Sequence, residues 1–149
     1  EGTGLDPRGL VGPWRTRRVR VEGRALSLDD IENVVLRPTY RDPRVHYAIN
    51  CASIGCPNLM NRAWRAETLE ADLEAAARAY VNHSRGVRVN TDGSLRVSSI
   101  YRWFREDFGG SDAAVIAHLR RYASPQLAAR LSGATRISGH GYDWALNEG

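Results

Sequence analysis

At 149 residues the chain is long enough for one domain with its own core, and 42% apolar with 26% charged residues excludes a disordered polyelectrolyte. No apolar run approaches the roughly 18 residues that cross a bilayer, so neither a membrane span nor a secretory signal is read within it. All of the 21 basic residues are arginine, against 17 acidic ones, and the resulting net charge of +4 permits an anionic partner without demanding one.

Residues 1–13 are punctuated by Gly and Pro and read as an irregular lead-in. Residues 18–21 alternate, with Val19 and Val21 on one face, and Gly23 follows; a short strand entering a turn is expected. Ser27 reads as a helix N-cap, with Asp29 and Asp30 suiting the positive helix start. Leu28, Ile31 and Val35 share a face of that helix, Glu32 borders it, and Pro38 limits its end. Asp42-Pro43 signals a turn, after which Val45, Tyr47 and Ile49 alternate as in a strand. A loop over 51–61 and a helix over 68–82 come next. Asp92-Gly93 between two Val-rich runs predicts a hairpin. Ser98 or Ser99 starts a helix that Gly109-Gly110 ends, Ser111 caps another, and Pro125 opens a short one. Ile137 suggests a strand, and Tyr142, Trp144 and Leu146 alternate at the end. Helices mixed with hairpins, without a regular βαβα order, predict an α+β fold with helices packed on short antiparallel strands, in a single domain over 1–149.

The densest chemistry lies in residues 46–57. Here His46, Asn50, Cys51 and Cys56 share one stretch. A reactive thiol needs a base or an electropositive site, and His46 is the nearby base. Fully extended, residues 46–51 would hold His46 roughly 16 Å from Cys51, too far for a dyad, so a bend or a fold-back toward Cys56 is required. Cys56, before Pro57, stands at a possible helix start that would acidify it. Against catalysis stand the common fate of free cysteines as small buried hydrophobes and a disulfide across the four-residue gap. A metal site from His46, Cys51 and Cys56 lacks a fourth ligand at zinc spacing, so neither metal nor cofactor is expected.

Elsewhere the ordinary readings prevail. His118 reads as a solvated helix residue, His83 as a helix-end group, His140 as a loop histidine, and Asp143 as a structural carboxylate pairing with an arginine. The cluster Arg15, Arg17, Arg18, Arg20 and Arg24 reads as a solvated strand face. No groove-reading helix, zinc finger or RNA-stacking motif accompanies it, so no nucleic-acid partner is expected.

Four separated motifs carry a resemblance. They are Ser27 to Glu32 with Leu36-Arg37-Pro38; Asp42 to Cys51 with Cys56-Pro57; Ser98-Ser99-Ile100 with Trp103-Phe104 and Asp107-Phe108-Gly109; and Tyr142-Asp143-Trp144 with Leu146-Asn147. In order and spacing they resemble the domain of unknown function 547 family over about Val19 to Asn147. That family typically has a further upstream helical segment, which is not found in these residues. The resemblance implies distant kinship with papain-like or transglutaminase-like thiol enzymes. It implies a Cys-His site carried onto Cys51 and His46, with Glu32 as third member and Cys56 as the alternative nucleophile. It also implies a bacterial protein in a periplasmic or extracellular setting.

The leading expectation is a thiol hydrolase or acyl-transferase acting on a peptide or amide bond. Cys51 attacks, His46 shuttles the proton, and Glu32 orients His46. Asn50 or the N–H groups of the 52–55 loop meet the oxyanion, with Asn50 and Ser53 as the substrate-binding residues. The alternatives are a non-catalytic ligand-binding module and a thiol-binding or redox protein using Cys51 and Cys56.

Overall fold

The computed structural model describes residues 14–147. The lead-in over 1–13 lies outside the described residues. The architecture is α+β: helices, a two-stranded ribbon and a three-stranded mixed sheet. Strand β1 (Val19–Val21) pairs antiparallel with β2 (Arg24–Leu26) across Glu22-Gly23, both with positive φ, as such a tight turn requires.

Ser27 then starts a helix as its sequence predicts. Its hydroxyl accepts from the Asp30 N–H at 3.0 Å while its own N–H donates to the Asp30 carboxylate at 2.9 Å, a reciprocal cap. Beyond the cap the winding is wider than that of an α-helix. Asp30–Leu36 forms a π-helix, with the Arg37 N–H reaching the Glu32 carbonyl, and continues into α1 (Arg37–Tyr40). The expected apolar face is corrected accordingly. Leu28 is 44% exposed and Val35 38%, whereas Glu32 is only 7% exposed. A face counted at 3.6 residues per turn does not survive i→i+5 winding, and Glu32 is turned inward in place of the aliphatic residues.

The second correction concerns His46. Residues Val45–Ala48 form a helical turn, α2, rather than a strand. Asp42 and Pro43 begin it: the Asp42 carboxylate accepts from the Arg44 N–H and the Val45 N–H bonds to the Asp42 carbonyl. Alternation over five residues is too short a signal to outweigh that start. Arg44 ties α2 to α3 (Leu69–Val81) through Asp42, Glu70 and Glu74. Adjacent residues on a helix diverge, so Tyr47 enters the core while His46 points to a different cavity.

Strands β3 (Val87–Val89) and β4 (Leu95–Ser98) form the expected hairpin, with Val87 opposite Val97. Helices α4 (Ile100–Trp103), α5 (Asp112–Tyr122) and α6 (Pro125–Leu131) come next in the chain, the last two capped by Ser111 and Ser124. Strand β5 (Gly139–Gly141) then returns parallel to β4. The core gathers Tyr47, Tyr80, Leu95, Tyr101, Val115 and Leu119 from these elements, each at most 2% exposed. His118 is part of this packing rather than a solvated residue. Its ring stacks on Tyr47 at 5.9 Å and its Nε2 lies 2.8 Å from the Tyr47 hydroxyl, and burial pushes its pKa down to about 4.

Candidate active site

The loop after α2 is held from two sides. Beneath it, the Tyr80 hydroxyl donates to the Gly55 carbonyl at 2.7 Å. Beside it runs the segment 142–147. The Ile54 N–H donates to the Ala145 carbonyl, the Gly55 N–H to Asp143, and the Asn147 N–H to Ala52. Ser53 and Leu146 form an antiparallel bridge in the middle of this strap. Gly55 is required for the approach: a Cβ there would sit 2.9 Å from the Asp143 backbone N and O and from the Tyr142 ring. Gly55→Ala is therefore expected to push the strap away and cost about 1–3 kcal/mol. Thermal melts read the loss of stability, and an equally stable variant with the native Cys51 reactivity would show that the strap has no hold on the thiol.

The strap delivers Tyr142 to the two cysteines. Cys51 Sγ lies 2.9 Å from Cys56 Sγ, 2.9 Å from Ser53 Oγ and 3.2 Å from the Tyr142 hydroxyl. Cys56 Sγ in turn accepts from the Cys51 N–H at 3.0 Å and lies 2.9 Å from the same hydroxyl. Both thiols are free; Cys56 is buried and Cys51 half-buried. Their proximity decides where the protons sit. The Cys56 S–H donates to Cys51 and drives the Cys51 thiol well below its ordinary range, aided by Ser53 and Tyr142 and opposed by burial. The same hydrogen bond, with burial, pushes Cys56 up. The pair thus keeps one proton between two sulfurs, with the negative charge on Cys51.

A small cavity of about 60 Å³ opens beside this cluster, and Glu32, His46, Cys51, Cys56 and Tyr142 all line it. Trp103, Phe104 and Trp144 form its aromatic wall, Trp103 lying 4.9 Å from Tyr142 and 5.3 Å from Trp144.

The four candidate catalytic residues therefore reach one cavity, but the carboxylate hydrogen-bonded to His46 is not Glu32. His46 Nε2 lies 2.7 Å from Asp107 Oδ2, while Glu32 stands 4.0 Å from Nδ1. Asp107 is itself gripped by Arg37 at 2.6 and 3.1 Å. Burial raises its pKa, but the Arg37 and His46 hydrogen bonds outweigh burial and hold it below the usual range, so it is ionised. An ionised acceptor on Nε2 fixes the proton there and leaves Nδ1 as the lone-pair nitrogen. Burial lowers the His46 pKa despite Asp107, so the ring is neutral near pH 7. Phe104 stacks on it at 4.1 Å and fixes its plane. Glu32 makes no hydrogen bond through its side chain among the described residues. Burial pushes its carboxyl up to about 7, with Arg37 offsetting part and Asp29, Cys51 and Asp107 adding to it.

Asn50 and Ser53 take different posts from those expected. The Asn50 amide donates to the Pro57 carbonyl and accepts from the Ala52 N–H, so it shapes the loop. That bond supports Ala52 at a φ of 63°. Ser53 is 1% exposed and faces Cys51 rather than a substrate. The N–H groups of Ala52, Ile54 and Gly55 are likewise committed within the protein. Asp143 also departs from its expected role: its carboxylate accepts from the Ala145 N–H and forms no ion pair among the described residues.

Asp107 and Tyr142 are the members that residue-by-residue reading did not assign. Both stood within the sequence motifs, and the signal available was their aromatic surroundings, Trp103-Phe104 with Asp107-Phe108 and Tyr142 with Trp144. No group of three or more His, Cys, Asp or Glu among the described residues is arranged to hold a metal ion. No described helix is long and apolar enough to cross a membrane.

No curated protein and no solved structure matches the chain. A family model does, over residues 9–81, which carry Glu32, His46, Cys51 and Cys56 while Asp107 and Tyr142 lie beyond the matched segment. That model is described as Protein of unknown function, DUF547, and it is this family that residues 9–81 of the chain resemble.

Proposed function

We propose that this protein is a thiol-dependent hydrolase or acyl-transferase acting on an amide or related acyl bond, with Cys51 as nucleophile. The observation that carries this reading is the shared cavity: an acidified Cys51 thiol beside a neutral His46 whose tautomer is set by Asp107. Cys51 is already ionised, so His46 is not needed to deprotonate it. The thiolate sulfur attacks the carbonyl carbon, a C–S bond forms, and the leaving group departs with a proton from the Glu32 carboxyl, which is neutral below about pH 7. His46 Nδ1 then takes a proton from water as the water oxygen attacks the thioester carbon, the C–S bond breaks and Cys51 leaves as thiolate; the proton on His46 Nδ1 returns to the Glu32 carboxylate, 4.0 Å away, and closes the cycle. The Ser53 N–H and the Tyr142 hydroxyl, both directed at Cys51 Sγ, are the donors placed for the oxyanion. This reading keeps the papain-like kinship and the bacterial, periplasmic or extracellular setting that the resemblance implies.

The experiment is acyl trapping. With p-nitrophenyl acetate the intact protein is expected to gain one acetyl group, mapped by peptide mass spectrometry to Cys51. Cys51→Ala removes it. Asp107→Asn leaves acetylation in place but slows release, because His46 loses the carboxylate that fixes its tautomer. Acetylation spread over surface residues, unchanged in Cys51→Ala, would sink the reading.

The 2.9 Å contact between the two sulfurs favours a second reading, a dithiol that exchanges with small disulfides. The Cys51 thiolate attacks a disulfide RSSR and releases RS⁻. Cys56 then attacks Cys51 Sγ, releases the second RS⁻ with its proton, and leaves an intramolecular disulfide. Oxidised glutathione is the test reagent. Two equivalents of glutathione released per chain, with no acetyl-enzyme in the trapping experiment, select this reading over the first.

A further inference from the structure

A second concavity adjoins the thiol cavity and has a different chemistry. It is a cleft of about 490 Å³ walled by Arg85, Arg88, Arg96, Tyr142, Asp143 and Trp144. Tyr142 and Trp144 belong to both cavities, so one aromatic wall separates the arginines from Cys51.

The arginines are placed against their own electrostatic interest. In the β3–β4 hairpin Val87, Val89, Leu95 and Val97 are buried, so Arg88 and Arg96 share the outer face. The register sets them directly opposite each other. Like charges in that position are destabilising. Neither forms an ion pair among the described residues, and Arg96 reaches only the His140 carbonyl, at 3.3 Å. Arg85 adds a third guanidinium, pinned by the carbonyls of Ile54 and Cys56 and by Asn58. Those neutral partners fix its position without cancelling its charge. Asp143 is the single carboxylate on the wall, so the cleft keeps an excess of positive charge. By contrast, Arg37, Arg44, Arg62 and Arg105 each hold a carboxylate.

We propose that this cleft is an anion subsite, taking a carboxylate or phosphate group of the molecule whose acyl carbon reaches Cys51. A planar guanidinium matches both groups through paired N–H donors. An anion between Arg88 and Arg96 converts their repulsion into two attractions. A concave site of this size suits a small anion rather than an extended nucleic-acid backbone, which needs a stripe of charge. The link to Cys51 rests on the acyl-transfer reading; anion binding by itself does not.

Two measurements separate the claims. Isothermal titration calorimetry with inorganic phosphate and with succinate reads binding directly. The wild type is expected to bind at least one of them, which identifies the headgroup, and Arg88→Gln/Arg96→Gln to weaken it by about tenfold or more, equivalent to about 1.4 kcal/mol. Arg24→Gln/Arg65→Gln, which removes the same charge from exposed positions outside the cleft, is expected to bind as the wild type does. Circular dichroism confirms that the variants fold. The second measurement is the ratio of Cys51 alkylation rates with iodoacetate and iodoacetamide, one anionic and one neutral reagent of similar size. That ratio should fall in the cleft variant and hold in the control. If neither reagent labels Cys51, the acyl-transfer reading fails while calorimetry still decides the anion subsite. Absence of binding to both anions overturns the subsite, as does equal loss in the control variant. Retention of an oligonucleotide that depends on Arg88 and Arg96, without response to either small anion, overturns it in favour of a nucleic-acid surface.

Discussion

Iodoacetamide is expected to label Cys51 alone, and to do so nearly as fast at pH 6 as at pH 8. An ordinary thiol with a pKa near 8.5 loses roughly 100-fold in thiolate over that range. Cys51 does not, because its proton resides on the neighbouring sulfur: the Cys56 S–H, Ser53 and Tyr142 all hydrogen-bond to it. Cys56 should stay unlabelled until denaturation, being buried and held protonated by the same bond. The largest single effect is expected from Cys56→Ala. Removing the first of those donors returns the Cys51 thiol toward its usual range, and the rate at pH 6 should fall by about tenfold for each unit of rise. Tyr142→Phe is expected to produce a smaller fall, since its hydroxyl is shared between the two sulfurs. Peptide mass spectrometry locates the label, and stopped-time alkylation gives the rates. If Cys51 and Cys56 label equally slowly and with the pH profile of glutathione, the acidified pair does not exist in solution.

Glu32→Gln is expected to stabilise the protein in alkaline solution and to change little in acid. The Glu32 carboxyl is raised from its ordinary value to about 7, first by burial. A raised folded-state pKa means that the native state favours the protonated form. Its full stability is present below the unfolded value near 4.5 and declines as pH rises through about 7. Above that, ionising Glu32 in the folded chain costs about 3 kcal/mol, or roughly 10 °C in Tm for a domain of this size. Glutamine keeps the shape and cannot ionise, so the wild type and variant should melt together at pH 5 and separate by pH 8.5. Parallel melts across the whole range would show that Glu32 is solvated and has no part in the cavity. Asp107 has the opposite dependence. Its lowered pKa contributes stability above the unfolded value near 3.9 that is lost as pH falls through the folded one. The two carboxyls thus bound a window, roughly pH 4 to 7, in which both favour the folded site.

The local parts of this fold are legible in the sequence. Ser27 and Ser111 cap where a polar oxygen before an apolar periodic run says they should, Pro125 opens α6, Asp92-Gly93 turns the β3–β4 hairpin, and α3 keeps its 3.6-residue period. Each of these signals is complete within a few residues. Two local readings fail for a physical reason. In 45–49 a period-two pattern competes with a helix start, and the Asp42 carboxylate settles the competition by holding the Arg44 N–H just before α2. In 30–36 the winding departs from 3.6 residues, so the same letters present a different face. Both errors touch the candidate site. They turn His46 from an extended segment to a helical one and Glu32 from the border to the interior. The site's remaining members depend on distance rather than pattern. Asp107 meets His46 from 61 residues away, and Tyr142 meets Cys51 from 91. Nothing near Cys51 in the chain announces a tyrosine that far downstream.

Those separations also determine when, during folding, the thiol becomes dangerous. A contact closing so long a loop forms only after its entropy cost is met by other packing, so it belongs to the late stages. Until the strap of residues 142–147 docks, Cys51 and Cys56 lack Tyr142 and the backbone ladder that fixes their loop. A nascent or half-folded chain therefore carries two ordinary, mostly protonated thiols, resistant to stray electrophiles and to mixed-disulfide formation with other chains. The hydrogen-bonded thiol pair is completed only as this long-range pairing closes. Quality control of the reactive sulfur is thus built into the chain's own topology.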